Sequence, residues 1–232
     1  MRSGITRRWL RGNLLITVLL VLLAEAMSKD EAFNFIYRAN IDSLRTMGEV
    51  RFFSPLHDSH LPSCDILYLP GGYPELYLDD ISGNSEMMAE IKAYAENGGR
   101  IFAECGGFMY LCHDIDNIPM CGVFPFSASM RDARLHLGYR QMYLTIDGRN
   151  QCIRGHEFHY SDINDDVTLT DETSHNKSFY NGEIHKECIQ LSAKNTKTTT
   201  ALYRYKNVVA GYTHWYWAET GFPFFKISTI RL

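Results

Sequence analysis

Hydrophobic residues follow two patterns along this chain, namely a helical spacing and short continuous apolar runs. Between residues 30 and 47 the apolar side chains recur every three or four positions, which predicts an amphipathic helix that ends at Gly48. The residues on its apolar side are Phe33, Ile36, Tyr37, Ile41 and Leu44. The same spacing predicts a second helix over residues 84–97, which ends at Gly98 and Gly99.

Short apolar runs on either side of these helices indicate β-strands. They cover residues 49–54, 65–69 and 101–103. Because strands and helices alternate with short turns such as Pro70-Gly71-Gly72, the pattern predicts βαβ units and a mostly parallel sheet. Later in the chain, residues 199–205 and 208–212 predict a hairpin through Lys206-Asn207.

Composition and charge narrow the class of protein. The chain has 232 residues, of which 45% are hydrophobic, so it can fill one sizeable core. Its 23 Lys and Arg against 27 Asp and Glu give a formal charge of -4, and no basic block follows the first dozen residues. We therefore expect no nucleic-acid partner and look for a small-molecule site.

The cysteines indicate a reducing compartment. The chain has six cysteines, and they are scattered along the sequence. None forms a C-x-x-C pair, and no group of cysteines and histidines has the spacing of a zinc site. They are Cys64, Cys105, Cys112, Cys121, Cys152 and Cys188. We expect reduced thiols in a cytoplasmic protein and no bound metal.

The first 26 residues conflict with that compartment. Four arginines precede an apolar run over residues 14–23, and Ala24-Glu25-Ala26 follows, which is the pattern of a secretory signal. The run is too short for a membrane-spanning helix. A buried first strand or helix, or read-through from upstream of Met27, gives the same pattern. We expect residues 1–26 to be unrelated to the rest and residues 27–232 to form one domain.

The stretch RIFAECGGFMYL, residues 100–111, combines a strand, a cysteine and two glycines at the start of a predicted helix. Cys105 then lies at the carboxyl edge of the sheet, where α/β proteins bind their ligands. Gly106 and Gly107 allow the sharp turn of a nucleophile elbow. The helix N-terminus is expected to lower the pKa of the thiol. Cys105 is therefore a predicted nucleophile.

An attacking thiolate also needs a base and hydrogen-bond donors for the oxyanion. Gly71 and Gly72 follow the preceding strand, and glycine lets backbone N–H groups approach a ligand closely. His214 follows the strand VVAGYT and so reaches a sheet edge as Cys105 does. A dense polar patch in RGHEFHYS fits either a hydrogen-bond cluster or a wall of the site; it contains Arg154, His156, Glu157 and His159.

Five motifs in this order carry a family resemblance. LYLPGGYPELY, AECGGFMYL, LGYR, RGHEFHYS and VAGYTHWYWAE resemble the C-terminal glutaminase domain of cobyrinic acid a,c-diamide synthases, which are class I glutamine amidotransferases of corrin biosynthesis. DEAFNFIYRANIDSL and FFSPLHD match the start of that domain, so the resemblance runs from about residue 29 to about residue 219.

The resemblance implies a fold, a reaction and roles for residues. It implies a three-layer, flavodoxin-like α/β domain with the RGHEFHYS strands in a side sheet next to the cleft. Cys105 would form a γ-glutamyl thioester, and His214 would be the general base and then the acid. Gly72 and Gly106 match the oxyanion-hole positions. Gly71, His156, Glu157 and His159 would help to wall the glutamine pocket or the interface with the synthase half.

The family's partners follow from the same resemblance. Its full-length enzymes resemble ATP-dependent ligases, in which ATP and Mg²⁺ serve an N-terminal P-loop domain and ammonia released from glutamine amidates the a- and c-carboxylates of cobyrinate. No P-loop motif occurs in this chain, so we expect a fragment that meets cobyrinate through a missing or separate synthase domain. An ammonia-donating domain belongs with ATP, so the cytoplasm is favoured over export.

Several alternatives stay open at this stage. The chain is either an active glutaminase or an inactive remnant or regulatory module with the same fold. The acceptor is either cobyrinate, hydrogenobyrinate or nickel-sirohydrochlorin. Tyr216 stands two residues after His214, where classical class I enzymes have a glutamate; Glu219 or a simple Cys–His dyad are equal alternatives. Homodimerisation is also left open.

Overall fold

The computed structural model describes residues 23–146, 149–164, 184–187, 190–223 and 227–231. Within these residues the α-helices are α1 (Arg38–Arg45), α2 (Leu78–Gly83), α3 (Ser85–Glu96) and α4 (Gly106–Leu111). The strands of the first half are β1 (Leu23–Ser28), β2 (Gly48–Phe53), β3 (Ile66–Leu69), β4 (Arg100–Glu104), β5 (Asp114–Ile115), β6 (Ile118–Pro119) and β7 (Ser127–Ser129). Those of the second half are β8 (His136–Ile146), β9 (Arg149–His159), β10 (Asp162–Asn164), β11 (His185–Glu187), β12 (Leu191–Ser192), β13 (Leu202–Tyr205), β14 (Val208–Gly211), β15 (His214–Tyr216) and β16 (Ile227–Arg231).

A seven-stranded sheet forms the centre of the molecule. Its order is β11-β13-β14-β4-β3-β1-β2, and β2, β1, β3, β4 and β14 run parallel to one another. β13 and β14 form the antiparallel hairpin that the sequence predicts. The α/β fold with a mostly parallel central sheet is therefore confirmed. The parallel strands bring the carboxyl ends of β3, β4 and β14 to one edge of the sheet, where ligands bind in open α/β folds.

Both faces of the inner strands β3 and β14 are buried, which explains why these strands lack a polar side. In β3, Leu67 and Leu69 face a cluster formed with α2, α3 and α4, whereas Ile66 and Tyr68 face the opposite cluster. The second cluster includes Leu44 of α1 and core residues of β8, β9 and β15. The three layers are therefore helices, central sheet, and a mixed layer of one helix and a second sheet.

The second sheet has the order β12-β8-β9-β15, with β16 also on β8, and it packs on the face of the central sheet that carries Ile66 and Tyr68. It contains the predicted RGHEFHYS strand as part of β9, and it also contains His214 at the start of β15. A small third sheet has the order β10-β7-β5-β6. The chain passes from the central sheet to the second sheet between Gly211 and His214, a connection of two residues.

The predicted helix over residues 30–47 is wrong in its first half. Only Arg38–Arg45 is helical. Asp30 caps a turn instead, because its Oδ1 accepts hydrogen bonds from the backbone N–H groups of Ala32 and Phe33. Phe35 then donates its N–H to Gly71 O at 3.0 Å, so this segment is held against the end of β3. Tertiary hydrogen bonds replaced the local helical ones.

The predicted division between residues 26 and 27 falls inside β1. Ala24, Glu25 and Ala26 pair with β2, and Glu25 and Ala26 also pair with β3, so these residues belong to the central sheet. Ala26 is fully buried. The sequence analysis took this stretch as the end of an unrelated segment, but the structure uses it as an inner strand. Residues 1–22 lie outside the described residues, and their separate status remains a prediction.

Candidate active site

Cys105 occupies a strained turn between β4 and α4. Its backbone angles are φ 47° and ψ -109°, in a region that non-glycine residues rarely adopt. The turn is fixed on both sides, because Cys105 donates its N–H to Gly211 O at 2.9 Å and accepts from Met109 N at 3.0 Å. This geometry agrees with the predicted nucleophile elbow, since such a turn projects the side chain away from the sheet and into the cleft.

The elbow depends on glycine because backbone atoms from neighbouring elements approach it closely. A Cβ at Gly106 would lie 2.7 Å from Pro74 Cδ and 2.8 Å from Gly72 O. A Cβ at Gly107 would lie 2.2 Å from Leu69 O. These distances leave no room for a side chain, so the loop after β3 and the start of α4 can pack tightly only with glycine at both positions.

His214 and Cys105 line the same cleft. The other residues that line it are Phe35, Gly72, Tyr73 and Phe158. The enclosed space is about 20 Å³, close to the volume that one water molecule needs. The Cys105 thiol donates to Phe158 O at 3.8 Å. Two of the lining side chains, Phe35 and Tyr73, are 38% and 40% exposed.

The ring of His214 is buried between aromatic neighbours. Its centroid lies 4.4 Å from that of Phe35 and 5.0 Å from that of His156. The backbone of Gly71 lies directly against it, because a Cβ there would be 2.1 Å from His214 Cε1. The packing fixes the plane of the ring, and His214 Nδ1 has no hydrogen-bond partner among the described residues. Glu219 is exposed, so the arrangement favours a Cys–His dyad over a triad with Glu219.

Burial keeps both members of this pair neutral in the resting site. The pKa of Cys105 is raised to about 12, mainly by burial and then by the nearby Glu75 carboxyl, although the N–H groups of Gly106 and Gly72 act to lower it. The predicted lowering of this pKa is therefore wrong, because desolvation outweighs the helix N-terminus. Burial, together with the positive charge of neighbouring histidines, lowers the pKa of His214 to about 3. His214 is thus an unprotonated base.

The predicted polar patch of β9 divides into two parts. His156 faces the cleft side: it pairs with His214 across the sheet, and its Nδ1 is 2.7 Å from Tyr37 Oη. Glu157 and His159 belong instead to a separate buried network, in which Glu157 forms an ion pair with Arg140 and lies 2.9 Å from His159 Nε2. Among the described residues, neither Glu157 nor His159 lines the cleft.

The sequence analysis missed three residues of the cleft, namely Phe35, Tyr73 and Phe158. Phe35 was overlooked because its segment was assigned to a helix, and Tyr73 because attention went to the glycines before it. Phe158 lies within the quoted motif RGHEFHYS, and its place between two histidines of an alternating strand was the available signal.

The described part of the chain shows neither a metal cluster nor a spanning helix. No group of three or more His, Cys, Asp or Glu side chains in it is arranged to hold a metal ion. None of its helices is long and apolar enough to cross a membrane. Its five cysteines are unbonded, and Cys188 lies outside the described residues.

A comparison with protein families decides the class of this domain. The model of the CobB/CobQ-like glutamine amidotransferase domain matches residues 26–222. The chain belongs to this family. As a glutamine amidotransferase domain, it is similar to cobyrinate a,c-diamide synthase of Fusobacterium nucleatum subsp. nucleatum, with 39% identity over 197 residues. It is also similar to the enzyme of that name from Clostridium acetobutylicum, with 40% identity over 195 residues.

The amidotransferase domain covers only part of those relatives. Each of the two matches covers 82% of this chain, but 40% of the Fusobacterium protein and 41% of the Clostridium protein. Among solved structures, a glutamine amidotransferase from Thermotoga maritima aligns with a TM-score of 0.52 at 10% identity, over 83% of this chain and 75% of that one. At this identity the likeness concerns the fold alone.

Proposed function

We propose that this amidotransferase domain hydrolyses glutamine through a Cys105 thioester and supplies the ammonia for amidation of the a- and c-carboxylates of cobyrinate in cobalamin biosynthesis. The observation that carries the proposal is the strained Cys105 elbow opening into one cleft with a buried, unprotonated His214. The acceptor is taken from the relatives, which are named cobyrinate a,c-diamide synthase.

The proposed first step is attack of Cys105 Sγ on the carboxamide carbon of glutamine. As the C–S bond forms, the thiol proton moves to His214, and the carbonyl π electrons move to its oxygen. His214 then gives the proton to the leaving nitrogen, the C–N bond breaks, and ammonia departs. Water next attacks the thioester while His214 takes its proton, which is returned to Cys105 as glutamate leaves. Atoms and protons balance over the cycle.

The oxyanion of this reaction would be held by the backbone N–H groups of Gly72 and Gly106. Hydrogen bonding by both N–H groups lowers the pKa of the Cys105 thiol, which supports this assignment. Their geometry depends on glycine, as the short distances around Gly106 indicate. Fixed dipoles of this kind also offset the cost of forming a thiolate and an imidazolium in a buried site.

The part of the chain described here does not fit ATP or Mg²⁺. It has no carboxylate and histidine cluster for a metal, and the sequence has no P-loop motif. We therefore assign ATP, Mg²⁺ and the cobyrinate carboxylates to a missing or separate synthase domain. Because the synthase part would read the acceptor, hydrogenobyrinate and nickel-sirohydrochlorin remain alternative acceptors.

The proposal is tested by ammonia release from glutamine, measured with and without a separately expressed P-loop synthase domain from a relative. We expect Cys105→Ser to abolish ammonia release while thermal unfolding stays within a few degrees of the wild type. A glutamine-analogue electrophile should label Cys105 alone, with Cys112→Ser as the matched control for a buried thiol in the same helix region.

Two outcomes contradict the proposal. Labelling that spreads over several cysteines would remove the assignment of the nucleophile. If Cys105 is labelled but no ammonia appears even with the synthase partner, the inactive-module alternative replaces an active glutaminase.

A further inference from the structure

A buried carboxyl group links the nucleophile to the strand that carries the base. Glu104 directly precedes Cys105 and is 2% exposed. Its Oε1 accepts the backbone N–H of Trp215 at 2.8 Å, and its Oε2 accepts the hydroxyl of Tyr68 at 2.7 Å. Because Trp215 directly follows His214, one side chain spans from the elbow to the peptide next to the base.

The backbone of Trp215 is held by side chains on the side away from β9. Trp215 lies opposite Gly155 in the β15–β9 pair, while its N–H is bound by Glu104 and its carbonyl by Asn40 Nδ2 at 2.7 Å. Asn40 Oδ1 also accepts the N–H of Trp217 at 3.1 Å. The short β15 strand thus depends on these two buried side chains for its position over the central sheet.

We propose that Glu104 is a positioning residue that sets the placement of His214 relative to Cys105 through its hydrogen bond to the backbone of Trp215. The inference rests on the proposed function, since it concerns the same dyad. It assigns Glu104 no contact with glutamine, because Glu104 does not line the cleft among the described residues. Its effect should therefore appear in turnover and not in substrate affinity.

The charge state of Glu104 tells us which substitution should preserve this role. Burial raises the pKa of Glu104 to about 8. The titratable groups whose charge interacts with it are Tyr37, Tyr68 and Cys105, none of them a cation at neutral pH. Glu104 is thus mostly protonated near pH 7. The side chain introduced by Glu104→Gln is also neutral and has the same shape, so its amide oxygen can still accept the hydrogen bond from Trp215 N–H.

Turnover separates positioning from a general role in folding. We expect Glu104→Ala to lower kcat for glutamine about 10- to 100-fold, because displacements near 1 Å have effects of this size. KM should stay within about threefold. Glu104→Gln should restore most of the loss. If Glu104→Ala does not fold, Tyr68→Phe removes only the hydroxyl that orients Glu104, and we expect it to lower kcat at least about threefold with KM unchanged.

The hydrogen bond itself can be followed without turnover. The chain has three tryptophans, so ¹⁵N-tryptophan labelling gives three backbone amide signals at most. Exchange of the Trp215 amide with solvent should be slow in the wild type and in Glu104→Gln, and at least tenfold faster in Glu104→Ala. The Trp217 amide, bound to Asn40, is the internal reference.

Glu25→Gln is the matched control, because Glu25 is a buried carboxyl in the same sheet, and neither of its oxygens has a hydrogen-bond partner among the described residues. It should leave kcat and the Trp215 amide unchanged. The proposal is overturned if Glu104→Ala and Tyr68→Phe keep wild-type kcat, or if Glu104→Gln is as slow as Glu104→Ala. If the wild type releases no ammonia, the proposed function fails, and Trp215 exchange together with the rate of Cys105 alkylation still decides the role of Glu104.

Discussion

The contact between Gly71 and His214 gives the sharpest test of the dyad. Gly71 does not have a positive φ, so alanine can adopt its backbone conformation without strain. The new Cβ would nevertheless lie 2.1 Å from His214 Cε1 and 2.8 Å from His214 Nδ1. Ordinary carbon contacts begin near 3.4 Å. The imidazole ring in Gly71→Ala must therefore move by more than about 1 Å.

That movement should affect catalysis more than stability. The ring has little free space, since Phe35 and His156 pack against it at centroid distances of 4.4 and 5.0 Å. A displacement of about 1 Å in a reacting group costs about 100-fold in rate. We expect Gly71→Ala to lower kcat for glutamine by about that factor, while the midpoint of thermal unfolding falls by about 2–12 °C, since one rearranged contact costs about 1–3 kcal/mol.

The assay compares Gly71→Ala with Gly83→Ala, since a Cβ at Gly83 meets nothing within 4 Å. Ammonia release and the rate of Cys105 alkylation by a glutamine-analogue electrophile are measured for both variants. Gly83→Ala should match the wild type in both. The reasoning is refuted if Gly71→Ala retains more than about half of the wild-type kcat, because the displaced ring would then have no part in the rate-limiting chemistry.

Three further predictions concern other buried groups, namely His214, the Arg140–Glu157 ion pair and Gly155. His214 is buried with a pKa of about 3, against 6.5 for an ordinary histidine. Below pH 6.5 the unfolded state binds a proton at this histidine that the folded state does not, so the folded state loses stability as the pH falls from 6.5 toward about 3. The urea midpoint should therefore drop more between about pH 7 and about pH 4 in the wild type than in His214→Asn. Arg140→Ala leaves the buried Glu157 carboxylate without its cation and should reduce the free energy of unfolding by about 3–5 kcal/mol, with a smaller loss in the double variant Arg140→Ala/Glu157→Gln. Gly155→Ala brings a Cβ to 2.3 Å from His214 O; it should destabilise the fold by about 1–3 kcal/mol and lower kcat, whereas an unchanged urea midpoint would contradict the β9–β15 packing.

The hydrophobic pattern of the sequence correctly predicted those helices and strands whose local preference matches their place in the fold. β3, β4 and α3 match their predicted ranges to within about two residues, because buried strands need continuous apolar runs and α3 has a clear apolar face. The segment of residues 30–37 failed for the opposite reason. Its spacing is helical, but Asp30 and Gly71 supply hydrogen bonds from outside any helix.

For the candidate site, the sequence pointed to Cys105 and His214, which the structure places in one cleft, but it did not predict their chemical state. Cys105 between a strand and two glycines indicated an elbow, and the family motifs indicated His214. The direction of the Cys105 pKa shift was predicted wrongly, because desolvation depends on every element that packs around the sulfur. The position of Phe35 at the rim of the cleft could not be predicted either, because it depends on the pairing of Phe35 with Gly71.

The sequence by itself determined that strands and helices alternate, that a cysteine stands at a glycine-rich bend, and that a histidine follows a late buried strand, because each of these depends on neighbouring residues alone. Only the tertiary structure decided that Ala24–Ala26 form an inner strand, that Glu104 reaches the peptide beside His214, and that Cys105 and His214 are both neutral. These properties arise from contacts between segments that are distant in the sequence, such as Glu104 and Trp215, or from the exclusion of water by the whole fold.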